Sequence, residues 1–314
     1  MRKICIFVVL ISLLFSVSLM AGGDQEEGLT TIVFGDVSWD SVQVHNRIAG
    51  FIIENGMDGY KADYMSGDTL PIINGIAMGD IDVDMESWHS NFPEAYEQHT
   101  SSGDIIDLGK NMPDAPQGWW IPRYVVEGPD AMAPGLKSVK DLPKYAELFK
   151  DPEDPSKSLV YGGVAGWSQM KISEKIFNDN GLSDTYNLGI AGSGAALAGT
   201  MVGAYEKGEA WCGYYWAPTA VLGKLDMVRL PGSEYEAADV NILVGKSMLE
   251  KAPDVVEFLK KYATTVDDNN EFLAKMDAED WSSEETAKWF LKNKEDVWTQ
   301  WLPAEVVERV KAAL

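Results

Sequence analysis

The alternation of short β-prone segments with amphipathic helical segments constrains the fold more than any other feature of this chain. It occurs twice, on either side of a Pro- and Asp-rich connection at residues 150–156. The first series comprises residues 31–35, 42–53, 60–64, 69–78 and 81–85. The second comprises residues 159–161, 169–179, 193–207, 211–215, 226–230 and 240–244, with Ser193 as the predicted N-cap of its helix. Strand–helix alternation of this kind predicts an α/β fold with mainly parallel sheets.

Two such series predict two lobes. We expect residues 24–124 and 238–314 to form lobe I, and residues 125–237 to form lobe II. Residues 118–126 form another apolar, β-prone stretch, and the pattern from Pro253 onward is helical. Architectures of this type bind small ligands between their lobes, so the sequence predicts a ligand cleft there.

Residues 1–23 have the pattern of a secretory signal peptide. Arg2 and Lys3 precede an apolar run from Ile4 to Met20, and the small residues 21–23 lead into acidic sequence. No cysteine follows the small residues, so a lipid anchor is not predicted. We predict cleavage and release into the periplasm as a soluble protein; an N-terminal anchor that is never cleaved is the alternative.

The chain is strongly acidic, with a formal net charge of −23 at pH 7. Removal of residues 1–23 takes away two cations and no acid, so the exported form is more acidic still. Nucleic acid and anionic lipid are not expected as partners, because affinity for phosphate needs clustered lysine and arginine. Only Cys212 remains after cleavage, so no intramolecular disulfide forms and the fold depends on its apolar core.

Tryptophan is the residue type that indicates function, since the chain contains 11 of them. Those in the helical C-terminal part are expected to pack against the lobe; they are Trp281, Trp289, Trp298 and Trp301. Four others stand at or just after the ends of predicted strands: Trp39, Trp88, Trp167 and Trp216. The carboxyl ends of parallel strands face the ligand crevice, so we predict that these four line the cleft.

An aromatic box of this kind suits a quaternary ammonium group. Such a group has no N–H to donate, and it is held by its charge over the negative faces of aromatic rings. Carbohydrate-binding clefts also use tryptophan, so the box alone does not name the ligand.

The segment 159–170 adds a second recognition element. It reads as a strand, a glycine-bearing loop and the start of a helix, with Trp167 directly before Ser168 and Gln169. Backbone N–H groups at a helix N-terminus are free to bind an anion. An aromatic face beside such amides indicates a site for a zwitterion; a structural turn with a packed tryptophan is the alternative.

Four segments carry a resemblance to a known family: Gly35–Trp39 (GDVSW), Gly79–Trp88 (GDIDVDMESW), Gly166–Gln169 (GWSQ) and Gly213–Pro218 (GYYWAP). Over nearly all of the predicted mature sequence the chain resembles the substrate-binding proteins of glycine betaine ABC transporters. The resemblance implies a type II periplasmic-binding-protein fold that closes on its ligand and is recognised by a transporter permease. It implies a trimethylammonium cage at Trp88, Trp167 and Trp216, and a ligand carboxylate on the amides of Ser168 and Gln169.

The chain departs from the family pattern at three places. Thr219 and Ala220 stand where members commonly carry histidine or another aromatic residue, and Glu86 stands where many carry an apolar residue. Arg123 adds a cation near the expected hinge. Glycine betaine, choline, carnitine and proline betaine therefore all remain candidate ligands.

Further candidate ligand-binding residues are Trp39, Trp120, Tyr215, Arg123, His45 and Glu86. Arg123 either reaches the ligand carboxylate or forms a salt bridge, and Glu86 either meets the ligand or is solvated. His45 is expected to line the cleft from the first helix. Tyr214 and Tyr215 alternate on one strand, so one of them is expected to face the cleft.

These features predict a monomeric solute receptor with no catalytic residues, no cofactor and no metal site. The three histidines lack zinc-site spacing, and the alternating acids at 80–86 lack the glycine that a calcium loop requires. Two alternatives stay open: a receptor of the same fold for a sugar or amino acid, and a secreted hydrolase with aromatic subsites. The hydrolase would need a positioned acid–base pair in the cleft.

Overall fold

The computed structural model describes residues 28–233, 235 and 238–314. The signal peptide predicted at residues 1–23 lies outside these ranges. Within them, every helix falls short of the length and hydropathy that crossing a bilayer requires.

The strands of the described residues form two five-stranded sheets. They are β1 (Thr30–Asp36), β2 (Tyr60–Ser66), β3 (Val83–Ser87), β4 (Ile105–Ala115), β5 (Gln117–Pro122), β6 (Ser158–Val164), β7 (Tyr186–Ala191), β8 (Gly213–Trp216), β9 (Met227–Arg229) and β10 (Ala238–Gly245). The first sheet has the order β2-β1-β3-β10-β4, and the second has the order β7-β6-β8-β5-β9. We call the parts of the chain around these sheets lobe I and lobe II.

Helices cover both sheets. They are α1 (Asp40–Gly56), α2 (Thr69–Met78), α3 (Pro93–Ser102), α4 (Arg123–Val126), α5 (Met170–Asp179), α6 (Gly194–Glu206), α7 (Ala220–Lys224), α8 (Met248–Lys251), α9 (Pro253–Leu259), α10 (Val266–Glu279), α11 (Ser283–Asn293), α12 (Glu295–Trp298) and α13 (Ala304–Ala313). Short 3-10 segments occur at His89–Asn91, Val139–Leu148, Leu182–Asp184 and Thr299–Trp301. The Ser193 hydroxyl accepts a hydrogen bond from the Ala196 amide, which confirms the predicted N-cap of α6.

The two sheets share one plan. In each, four strands run in the same direction and the fifth is inserted antiparallel between two of them. The inserted strand is β10 in the first sheet and β5 in the second, and each comes directly after a point where the chain has crossed from the other lobe. The crossings lie at residue 116 and between residues 229 and 238. The lobes are therefore joined by two segments, and Ala115 and Ala238 at their lobe I ends are paired.

The position of β5 corrects the predicted lobe boundary after Tyr124. That boundary assigns residues 117–122 to lobe I, whereas β5 is hydrogen-bonded to β8 and β9 of the second sheet. Apolar periodicity identifies a strand but does not show which sheet it joins, because pairing depends on residues far away in the sequence.

Lobe I buries one face of α1 against its sheet and against the C-terminal helices. Ile48 and Ile52 are fully buried on this face, and α1 contacts α11 and α13. Trp298 and Trp301 are buried in the same core, as expected for the C-terminal tryptophans. Trp281 differs, because it lines a cavity between the lobes.

Candidate functional site

Four strand ends bring tryptophans to the space between the lobes. Trp39 follows β1 and precedes α1, and Trp88 directly follows β3. In lobe II, Trp167 lies in the loop between β6 and α5, and Trp216 ends β8. All four strands point the same way within their parallel sets, so their carboxyl ends meet at the cleft. We call these four side chains the cage.

The cage residues line one cavity. Trp167 is central: its ring centroid lies 5.4 Å from that of Trp39 at 81° and 5.1 Å from that of Trp216 at 78°. Each of the four side chains is at most 9% exposed. The cavity volume of about 30 Å³ is roughly twice what one water molecule needs, so the closed cage suits a compact group.

Contacts across the lobes hold the cage closed. The Trp167 indole N–H donates to the Ser38 hydroxyl at 3.4 Å. Gly166 makes the close approach possible, because its φ of 84° is in the left-handed region and a Cβ there would collide with the Asp68 carboxylate. Only glycine at position 166 lets this loop bring Trp167 so close to lobe I.

The loop after β6 also supplies hydrogen-bond donors. Ser168 and Gln169 are 7% and 2% exposed and line the same cavity. Among the described residues, their backbone N–H groups find no acceptor, since the hydrogen bonds of this turn come from Trp167 and Met170. The Gln169 side-chain amide is also buried without a partner. This side of the cavity therefore offers unused polar groups to a ligand.

Two carboxyl groups lie on the lobe I side. Asp84 and Glu86 project from the same face of β3, line the cavity, and are 4% and 1% exposed. Glu86 Oε1 accepts hydrogen bonds from Ser41 Oγ at 3.0 Å and Trp88 Nε1 at 3.2 Å, while Oε2 has no partner. Burial raises the pKa of Asp84 to about 6 and that of Glu86 to about 7. Glu86 thus faces the cavity and is not solvated.

These raised pKa values predict a pH-dependent stability. The folded-state pKa of Glu86 lies above its ordinary value of 4.5. The neutral form of Glu86 therefore contributes stability that is fully present below pH 4.5 and is lost as the pH rises through about 7. His45 titrates with the opposite sign, since burial lowers its pKa to about 4, so wild type alone does not isolate the effect. The difference in unfolding free energy between wild type and Glu86→Gln should fall by on the order of 2 kcal/mol over this range. Urea unfolding of the ligand-free proteins at a series of pH values measures it, and a difference that is flat with pH contradicts the assignment.

Two predicted site residues lie away from the cage. His45 is fully buried in lobe I, where its ring nitrogens are hydrogen-bonded to the Tyr262 hydroxyl at 2.7 Å and to Asn269 at 2.9 Å. Arg123 forms surface salt bridges with Asp226 and Glu127, both at 2.8 Å. The expectation that His45 lines the cleft is wrong because that face of α1 packs inward, and Arg123 makes the salt-bridge alternative.

Two further aromatic candidates lie beside the cage. Trp120 donates its indole N–H to the Tyr215 carbonyl at 3.0 Å and does not line the cage cavity. Of the two tyrosines on β8, Tyr214 faces the cage cavity, on the same side of the strand as Trp216. Tyr215 lines a second cavity instead.

The second cavity adjoins the first. Its volume is about 260 Å³, and it shares Trp39 and Trp216 with the cage. It is lined from both lobes, by Tyr215 on one side and Trp281 on the other. Two indole rings are therefore common walls of the two cavities.

Sequence reasoning missed a polar network under the cage. Asn91 and Gln117 exchange side-chain hydrogen bonds at 3.0 and 3.1 Å, and the Tyr214 hydroxyl donates to Gln117 at 2.9 Å. Gln117 opens β5 immediately after a crossing between lobes, so this network ties both lobes to the hinge. No local pattern in the sequence indicates this network of hydrogen bonds. Asp84, also missed, was signalled by its spacing of two residues from Glu86.

Comparison with known proteins agrees with this geometry. A trimethylamine N-oxide-binding protein from Pelagibacter ubique (strain HTCC1062) is 24% identical over 306 residues, which cover 92% of this chain and 96% of that one. A glycine betaine/L-proline-binding protein (ProX) from Borrelia burgdorferi superposes with a TM-score of 0.77 at 20% identity, covering 89% of this chain and 99% of that one. An ABC-transporter choline-binding protein in complex with choline also gives 0.77, at 17% identity, covering 91% and 99%.

These structures confirm the predicted two-lobed type II periplasmic-binding-protein fold. Residues 30–293 match the family described as the substrate binding domain of ABC-type glycine betaine transport systems. The match spans both lobes and all four cage tryptophans, and the chain therefore belongs to this family of solute-binding receptors.

Proposed function

We propose that this protein binds a compact trimethylated amine in the cage and delivers it to the permease of an ABC importer. The observation that carries the proposal is the convergence of four indoles, two from each lobe, on one small cavity. A trimethylammonium group offers no N–H, so aromatic faces are the means of holding it. Each face contributes roughly 0.5–2 kcal/mol, and several faces with buried methyl groups approach the roughly 8 kcal/mol of a micromolar complex.

The rest of the site supports a ligand with one further polar group. Ser168 and Gln169, whose backbone N–H groups are unused, line the cavity from lobe II, and Glu86, whose Oε2 accepts no hydrogen bond, lines it from lobe I. Trimethylamine N-oxide and choline, named for the relatives above, both combine a trimethylated nitrogen with one oxygen. The ligand-binding residues that we propose are Trp39, Trp88, Trp167, Trp216, Ser168, Gln169 and Glu86.

We further propose where this receptor is located, which partner recognises it and in what oligomeric state it works. Export through a cleaved signal peptide would place it in the periplasm, where the permease recognises the closed, ligand-bound form. Closure follows from ligand contacts with both lobes at once. We propose that it works as a monomer, because one chain provides the whole cage.

Titration calorimetry with choline, trimethylamine N-oxide and glycine betaine tests the proposal. We expect at least one of them to bind with micromolar affinity and to change tryptophan fluorescence, because the cage is made of indoles. The matched control is 3,3-dimethyl-1-butanol, which has the shape of choline but carbon in place of the charged nitrogen. It should bind at least about 100-fold more weakly, since it gains no cation–π energy. Absence of saturation below millimolar concentration for every amine would refute the proposed ligand class.

A further inference from the structure

We infer that the Asp84–Glu86 pair makes the cage select trimethylated amines that carry no carboxylate, with Glu86 as the specificity-determining residue. The inference rests on the proposed function and narrows its ligand class. It departs from the expectation drawn from the sequence, in which a ligand carboxylate occupies the amides of Ser168 and Gln169.

The Glu86 carboxyl is held in position to meet a ligand. Ser41 and Trp88 both donate to Oε1, so the group is anchored on one oxygen and presents the other. Oε2 accepts no hydrogen bond in a residue that is 1% exposed and lines the cavity, although the Trp39 indole also lies close to the carboxyl. A buried carboxyl oxygen without a partner is costly, and a bound solute would supply the missing partner. Ionised, Glu86 attracts a cation or accepts from a hydroxyl; protonated, it donates to an N-oxide oxygen.

The charges around the cavity disfavour a second anion. Asp84 lies next to Glu86, with the Glu86 amide donating to Asp84 Oδ1 at 3.0 Å. Among the residues that line the cavity there is no lysine, arginine or histidine. A carboxylate brought into this cavity would meet two buried carboxyl groups and no cation, in surroundings where charges interact more strongly than in water. A ligand with a net positive charge is instead attracted by these two carboxyl groups.

The donors on the lobe II side do not reverse this balance. The amides of Ser168 and Gln169 donate to a hydroxyl or N-oxide oxygen and also to a carboxylate; they favour the carboxylate only through the partial charge of a helix N-terminus, which is smaller than the charge of two carboxylates. The charges of Asp84 and Glu86 therefore decide between these ligands.

The decisive experiment compares choline with glycine betaine, using tetramethylammonium as a reference cation that has no oxygen. By calorimetry near pH 8, wild type should bind choline at least about 30-fold more tightly than glycine betaine. In Glu86→Gln the ratio should shrink by about 10-fold or more, because choline loses an opposite charge and glycine betaine loses a like one. Glu305→Gln, an exposed site in α13, removes the same charge elsewhere and should leave the ratio unchanged.

Each remaining result overturns either this inference or the proposed function. Glycine betaine binding to wild type as tightly as choline would overturn the inference, as would an equal loss for both ligands in Glu86→Gln, which indicates a structural role. If Glu86→Gln does not fold, the inference is tested instead by the ratio of choline affinity to glycine betaine affinity in Asp84→Asn and in wild type. Failure of tetramethylammonium, choline and glycine betaine to bind wild type at all would refute the cage itself.

Discussion

Replacing Trp167 by alanine should weaken the binding of choline or trimethylamine N-oxide by about 100-fold. Trp167 is the cage residue whose ring contacts two others, Trp39 at 5.4 Å and Trp216 at 5.1 Å. Its loss removes one cation-binding face worth up to about 2 kcal/mol and one edge-to-face contact across the lobes, with Trp39, worth about 0.5–1.5 kcal/mol. A total near 3 kcal/mol corresponds to about two orders of magnitude in Kd. Calorimetry measures the change directly.

The matched control for this substitution is Trp289→Ala. Trp289 is a half-buried tryptophan of α11 that packs on the lobe I core and lines neither cavity. The control variant should bind the amine with an affinity within about threefold of wild type once folding is verified by circular dichroism. If Trp167→Ala binds as tightly as the control, the cage does not hold the ligand.

The second large effect concerns stability. Trp119→Ala should lower the unfolding free energy by about 3–5 kcal/mol, the usual cost of removing a buried tryptophan. Trp119 is fully buried in β5, and its indole N–H donates to Ser173 Oγ at 3.2 Å. The substitution leaves a large cavity inside lobe II and removes one of the hydrogen bonds of that hydroxyl, which keeps those to Gly162 and Tyr235. Urea unfolding followed by far-UV circular dichroism gives the measurement without relying on tryptophan emission.

The neighbouring residue provides the comparison. Trp120 points to the opposite side of the same strand and is only half buried. Trp120→Ala should lower the unfolding free energy by about 1–2 kcal/mol. It removes a side chain that is only partly buried and one hydrogen bond to the Tyr215 carbonyl. Equal losses for the two substitutions would show that β5 does not have one buried and one half-buried face.

Elements with strong local signals were predictable from the sequence. The helix predicted at 69–78 has the same bounds in the structure, and the N-cap of α6 lies at Ser193 as expected. Both depend on interactions within a few residues. By contrast, β4 and β7 were not predicted, because polar residues and glycines interrupt their apolar pattern, as Gly109 and Gly189 do. Their strand conformation depends on pairing with β10 and β6.

The site was predictable in outline for a related reason. Strand ends are visible in the sequence, and in parallel sheets the residues just after a strand end lie at the cleft, so the four cage tryptophans were found. The direction of a side chain on a helix packed on both faces is not visible in this way. His45 therefore looked like a cleft residue, although it is hydrogen-bonded inside lobe I. The environment of Glu86 depends on Ser41, 45 residues away, and no local pattern reveals it.

The cage is assembled from two halves that the chain connects through residue 116 and the segment between β9 and β10. An open receptor offers a solute only half of the indoles, so the measured affinity includes the free energy of bringing the halves together. Substitutions at the connecting segments, or of Gln117 beside one of them, can raise or lower affinity without altering any residue that lines the cage. Tuning of this kind lets one unchanged recognition chemistry serve very different solute concentrations.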